Sequence, residues 1–178
     1  MTREGIKGLE NAKAGMEPTP VHNVTIPFTR MLCGPMDYTP GGFMNVNRDG
    51  YLPYHEPPTV LGTRTQQLAM YVVYESAWQM VSDWPGAYRE AKESEFLKIV
   101  PASWDKTVGI DGVIGDHIVL ARKAGENWFL GAMCGWRNHI DEDIPASCLI
   151  NDEGSHGGLT GHYFSGMKFD KAIRTQTD

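Results

Sequence analysis

The hydrophobic period of this chain changes once, and that change constrains the fold more than any other feature. From Thr63 to Trp84 apolar residues recur three or four apart, at Ala69, Val73, Ala77, Met80 and Trp84, with Leu68 and Val72 widening the stripe. That spacing predicts an amphipathic helix over Thr63–Trp84, capped by Thr63 or Thr65 and stopped at Pro85-Gly86. A second short helix is expected from Tyr88 to Ile99. After Trp104 the signal is β: TVGI, VIGDHIVLARK and WFLGAMCGW are separated by Asp111-Gly112 and by Ala124–Asn127. Asp-Gly between apolar runs predicts a hairpin turn, because both turn positions need positive φ. Ile118, Leu120 and Arg122 fall on one strand face and Val119 and Ala121 on the other, so both faces are expected to be covered, except near Arg122. The reading is a mixed α+β chain whose last part is a three- or four-stranded antiparallel meander, with a domain boundary near residues 95–105.

The remaining segments carry weaker signals. Residues 1–22 are rich in Gly and Glu and end at Pro18 and Pro20, which forbid a regular helix. Asp37-Tyr38-Thr39-Pro40-Gly41-Gly42 is a turn by composition, with Asp37 read as a turn former, and residues 43–62 read as a long surface loop. Loops of that length are often functional. In the last forty residues or so, the string HYFSGMKF is the one strand candidate.

Composition narrows the function classes. A formal charge of -6 across 178 residues, with no dense basic run, excludes a phosphate-backbone partner. No apolar stretch reaches the length of a membrane span. Cys33, Cys134 and Cys148 are too few and too scattered for a disulfide framework or a CxxC metal site. His22, His55, His117, His139, His156 and His162 show no metal-ligand spacing, and phosphate-binding glycine loops and serine nucleophile elbows are absent. Trp78, Trp84, Trp104, Trp128 and Trp136 have faces able to stack on sugars, but those in regular elements are expected in the core.

Three strings in order, TREGIKGLE, NVTIPFTRMLCGPMDYTPGGF and LGTRTQQLAMYVVYESAWQMVSDWP, resemble the C-terminal part of glycoside hydrolase family 97. IVPASWDKTVGIDGVIGDHIVLARKAGENWFLGAM is similar to that family's C-terminal β-domain. The resemblance covers residues 2–136; the segment after Trp136 does not match the family's closing strands. It implies a piece of a three-part enzyme built from an N-terminal β-sandwich, a (β/α)8 catalytic barrel and a C-terminal β-sandwich used in oligomerisation. Residues 1–94 would be the last part of the barrel and residues 95–178 the antiparallel β-sandwich, with 137–178 unassigned within it.

The implied activity is calcium-dependent hydrolysis of α-glucosides or α-galactosides in an oligosaccharide substrate. Such hydrolysis needs a carboxylic acid to protonate the leaving oxygen and a second carboxylate to activate water or attack the sugar. In the family pattern RExxxxxE the second glutamate is the general acid, which falls on Glu10, and the first is a calcium ligand, which falls on Glu4; Glu10 also lies near the ion. The second catalytic carboxylate and the other calcium ligands would lie upstream of Met1. The chain alone is therefore expected to be inactive and to form homo-oligomers, and the parent enzyme to be periplasmic or exported. The rival reading is a non-catalytic β-sandwich module for oligomerisation or carbohydrate binding.

Overall fold

The computed structural model describes residues 18–52 and 59–135, and the backbone alone of 162–165. The chain enters through a short helix α1 (Pro20–Thr25), whose start is fixed by Pro20 and by the Thr19 hydroxyl, which accepts from the His22 amide at 3.2 Å. Two 3-10 turns, Ile26–Phe28 and Arg30–Cys33, follow and stop at Gly34, whose φ of +95° ends the run.

The stretch expected to be a featureless loop carries two short strands. These are β1 (Asn45–Val46) and β2 (Val60–Leu61), which pair in parallel. Parallel pairing requires a crossover between the strands rather than a hairpin. Helix α2 (Arg64–Val73) begins directly after β2, capped by Thr63, whose hydroxyl accepts from the Gln66 amide at 3.1 Å.

The expected helix to Trp84 stops eleven residues early, at Val73. Its last-turn carbonyls are taken by side chains from elsewhere. Gln79 Nε2 donates to Tyr71 O at 3.0 Å and Arg122 Nη2 donates to Val73 O at 3.1 Å. Carbonyls satisfied in this way need no further turn. The expectation of one solvent-facing side also fails, since every residue from Gln66 to Val73 is buried. The second expected helix is split into α3 (Pro85–Glu90) and a 3-10 run over Lys92–Lys98.

The β prediction holds at its core. Strands β3 (Lys106–Val113), β4 (His117–Ala124), β5 (Asn127–Cys134) and β6 (His162–Ser165) form one antiparallel sheet in that order. The two-residue turn Gly125-Glu126 joins β4 to β5 with Gly125 at φ +57°. The other turn is misplaced by the sequence reading. Asp111 and Gly112 lie inside β3, paired with Val119 and Ile118, and the chain reverses over Ile114–Asp116, where Gly115 has φ +78°. A bulge between Gly109 and Asp111 shifts the register and carries the Asp-Gly pair into the strand.

Alternation along β4 and β5 sorts the core as expected. Ile118, Leu120, Phe129 and Met133 join Val72 and Val73 of α2 in the main core, together with Val24, Met36 and Tyr38 from the N-terminal segments. Val119, Ala121, Trp128, Leu130 and Ala132 form a second buried cluster on the opposite face. Arg122, the expected gap in coverage, is itself buried at 4% exposure, with its guanidinium carbon 5.7 Å from the Trp104 ring centre.

Candidate functional site

Glu4 and Glu10, the residues expected to carry acid catalysis and calcium, lie outside the described residues. Trp136, Cys148, His55, His139 and His156 also lie outside them, and only the backbone of His162 is described. What the described residues show is the frame around the Gly34–Phe43 segment, which contains the turn expected from composition over Asp37–Gly42.

That segment is held by a set of polar side chains from α2 and the region after it. Gln67 Oε1 accepts from the amides of Gly41 and Gly42 at 3.0 and 3.3 Å. The Tyr71 hydroxyl lies 3.1 Å from Pro40 O and 2.8 Å from Met80 O, so a single phenol joins two loops. The Tyr88 hydroxyl donates to Gly41 O at 2.8 Å and accepts from the Asp83 amide at 2.8 Å, while Asp83 Oδ2 accepts from the Phe43 amide at 2.9 Å. At the other end, the Met36 amide donates to Glu75 O at 3.0 Å. The Tyr38 hydroxyl donates to Asn23 Oδ1 at 3.0 Å, and Tyr74 donates to Asn23 O at 2.8 Å. Tyr38 and Tyr74 meet edge to face with ring centres 5.0 Å apart. Gly41, at φ +91°, sits where an added Cβ would lie 2.6 Å from the Tyr71 hydroxyl, so only glycine fits.

Burial governs the electrostatics of this frame. Burial raises the phenol pKa values of Tyr71, Tyr74 and Tyr88, and the charges of Tyr88, Tyr38 and Asp83 respectively add to the effect; hydrogen bonds from Asp83 and Ser82 partly offset it at Tyr88. These phenols therefore act as neutral donors. The arrangement orients a backbone segment, with the phenols, the Gln67 amide and the Asp83 carboxylate all engaged with main-chain groups. Asp37 is half-buried in it.

The remaining sequence candidates separate by place. Trp128 is 3% exposed, and Trp104 packs edge-on to Phe129 at 5.3 Å between ring centres, as expected of core residues. Trp78 and Trp84, expected on the long helix, fall beyond its end and are 74% and 58% exposed. His117 has no metal spacing in sequence, but the fold sets its Nδ1 2.7 Å from Asp116 Oδ2 and its Nε2 3.3 Å from Asp111 Oδ2. Among the described residues no three His, Cys, Asp or Glu side chains converge on a metal position. The sequence reading passed over Gln67, Tyr71, Asp83 and Tyr88, the side chains that hold this segment. Gln67 and Tyr71 gave no signal because they lie on the side of the helix opposite the apolar stripe, whereas Arg122 shares a strand face with Ile118 and Leu120.

Comparison with known proteins places these elements. Residues 103–155 match a family model described as glycosyl-hydrolase 97 C-terminal, oligomerisation. That match extends past Trp136, where the sequence reading had the likeness end. A retaining alpha-galactosidase of Bacteroides thetaiotaomicron is 38% identical over 160 residues, 88% of this chain and 24% of that protein. A probable retaining alpha-galactosidase of Streptomyces bingchenggensis is 34% identical over 143 residues, 80% of this chain and 20% of that protein. A glycoside hydrolase family 97 enzyme from Pseudoalteromonas sp. strain K8, solved with acarbose, superposes at a TM-score of 0.61 with 35% identity, covering 76% of this chain and 21% of that one. A beta-arabinopyranosidase superposes at 0.55 with 25% identity over 71% of this chain and 19% of that one. The chain thus spans between a fifth and a quarter of the length of the relatives it matches.

Proposed function

The chain belongs to glycoside hydrolase family 97, and we propose that it forms part of an enzyme that hydrolyses α-galactosides of oligosaccharides with retention of configuration. The 38% identity to a retaining alpha-galactosidase, which runs through most of the chain, carries the reading. α-Glucosides are the second substrate class, favoured by the likeness to an enzyme solved with panose. In this proposal residues 1–94 complete a (β/α)8 barrel and residues 95–178 are the C-terminal β-sandwich. The parallel pair β1 and β2, with α2 directly behind β2, supports the barrel assignment, since that is the order of a βα unit. The family description of residues 103–155 supports homo-oligomers.

Glu10 is proposed as the general acid and Glu4 as a calcium ligand, with Glu10 near the ion. Among the described residues no group of three metal-binding side chains is present, so the remaining ligands of such an ion would come from outside them. The role of this chain's own residues is to donate a proton at Glu10 and to hold the Gly34–Phe43 segment in place.

The test uses the full-length enzyme that carries this chain. Glu10→Gln should lower turnover of methyl α-galactoside by about a hundredfold or more, while a dinitrophenyl α-galactoside, whose leaving group needs no proton, loses far less. Equal losses on both substrates would remove the acid role from Glu10. Chelation followed by readdition tests the ion: activity should fall and return with calcium but not with magnesium, and elemental assay should find calcium in the active protein. Full activity in metal-free protein would end the calcium proposal. A non-catalytic oligomerisation module remains the reading for the 178 residues by themselves.

A further inference from the structure

We propose that Trp84 is a platform on which a sugar ring of the oligosaccharide stacks, beyond the bond that is cleaved. The inference rests on the α-galactosidase reading above and adds a binding position that the catalytic glutamate does not supply.

Position carries the argument. Residues 36–40 and 75–82 run side by side and are joined at both ends: the Met36 amide donates to Glu75 O at 3.0 Å, and the Ser82 amide to Pro40 O at 3.0 Å. Residue numbers climb together between these two bonds, so the stretches are parallel, and α2 connects them. In a (β/α)8 barrel the substrate lies beyond the C-terminal ends of such parallel stretches. Both C-terminal ends are tied together by one carboxylate. Asp83 Oδ2 accepts from the Phe43 amide at 2.9 Å, and Asp83 Oδ1 accepts from the Trp84 amide at 2.9 Å. Exposed Trp78, Met80 and Val81 lie within the second stretch, where the remainder of a closed barrel packs. Trp84 lies past its end, at the mouth.

The ring is set in place. Trp84 is 58% exposed, yet a Cβ built at Gly86 would collide with its Cη2 and Cζ3, so the six-membered edge of the indole rests on the Gly86 backbone. The Asp83 bond holds the main chain at Trp84, and Pro85 fixes the φ of the next residue. An indole held in this way offers a broad apolar face at little further cost in entropy. A pyranose suits that face, because one side of the sugar ring presents C–H groups while its hydroxyls stay in water. The mouth position also selects the ring. The sugar that is cleaved lies at the barrel axis with the catalytic carboxylates, whereas a side chain on a loop past a strand end reaches a ring further out.

The experiment uses the full-length enzyme and compares raffinose, whose α-galactosyl unit is followed by further rings, with methyl α-galactoside, which has none. In Trp84→Ala, kcat/KM for raffinose should fall about tenfold, mainly through KM, and that for methyl α-galactoside far less. Gly86→Ala displaces the indole while replacing glycine by a better helix former inside α3. It should weaken raffinose turnover in the same direction without lowering the melting temperature. Trp84→Phe, which keeps a smaller face, should fall between wild type and Trp84→Ala. Equal losses on both substrates, or none on raffinose, would overturn the platform and leave the α-galactoside reading standing. A lower melting temperature in Trp84→Ala with an unchanged ratio between the substrates would show that the rest of the enzyme packs on the ring, and would overturn the platform too. A wild type that cleaves neither substrate would overturn both readings.

Discussion

Arg122 sets charge against packing within one side chain. Its guanidinium is buried, donates to Val73 O at the C-terminal end of α2, and lies over Trp104, while its Nε has no hydrogen-bond partner among the described residues. Burial lowers its pKa and the charge of Glu75 works against that shift. A cation at a helix C-terminus is favoured by the helix dipole, yet desolvating it is costly. Arg122→Ala should therefore lose about 1–3 kcal/mol in urea unfolding, because it strips the packing over Trp104 and leaves a carbonyl unsatisfied. Arg122→Met keeps the aliphatic stem and removes the desolvation cost, so its loss should be smaller. Equal losses would show that the hydrogen bond outweighs the packing. Gly131 makes the opposite demand, for no side chain at all. A Cβ there would sit 2.9 Å from the Val72 Cβ and from a Val73 methyl. Gly131→Ala should cost about 1–3 kcal/mol, read as a lower urea midpoint at unchanged slope.

At the scale of elements, sequence and structure agree where local chemistry decides and part where distant groups do. The start of α2 was legible because Thr63 both caps it and precedes the apolar run. Its end was not, since Arg122 and Gln79 reach its last carbonyls from 49 and 8 residues away. The β4–β5 turn was legible from its glycine. The β3–β4 turn was misread because Asp-Gly is a local signal, and the bulge that overrides it depends on pairing with β4. The candidate site divides in the same way. Glu4 and Glu10 came from likeness to a family rather than from periodicity, and they lie outside the described residues. The clamp on Pro40–Phe43 was invisible, because Gln67 and Tyr71 lie on the side of the helix opposite the apolar stripe, which periodicity assigns to solvent. That clamp makes a local prediction. In Gln67→Ala the buried amides of Gly41 and Gly42 lose their acceptor, so their hydrogen exchange should accelerate well beyond that of β4 and β5. Uniform acceleration across the chain would mean that Gln67 supports the fold as a whole rather than the segment.

Over the whole molecule, the same tyrosines that fasten the loop to the helix tie stability to pH at the alkaline end. Tyr71 and Tyr74 are held protonated by burial, above the ordinary phenol value of 10.0. The folded chain therefore binds these protons more tightly than the unfolded chain does. By linkage, their contribution to stability is fully present below a pH of about 10 and is lost as the pH climbs toward the folded values. The loss approaches about 1.4 kcal/mol per pH unit for each fully buried phenol, because the unfolded chain releases a proton that the folded chain retains. Because Tyr71 grips Pro40 and Met80 while Tyr74 grips Asn23, ionising either breaks contacts between the N-terminal segments and the helix. Thermal melts should be flat up to about pH 9 and fall steeply beyond about pH 10, with tyrosinate absorbance rising together with the loss of near-ultraviolet dichroism. The double variant Tyr71→Phe, Tyr74→Phe should start less stable at neutral pH, having lost these hydrogen bonds, and show a shallower alkaline slope. Tyrosinate absorbance that rises in the wild type while the native signal persists would mean that the phenols titrate in the folded state, and that some other group governs alkaline unfolding.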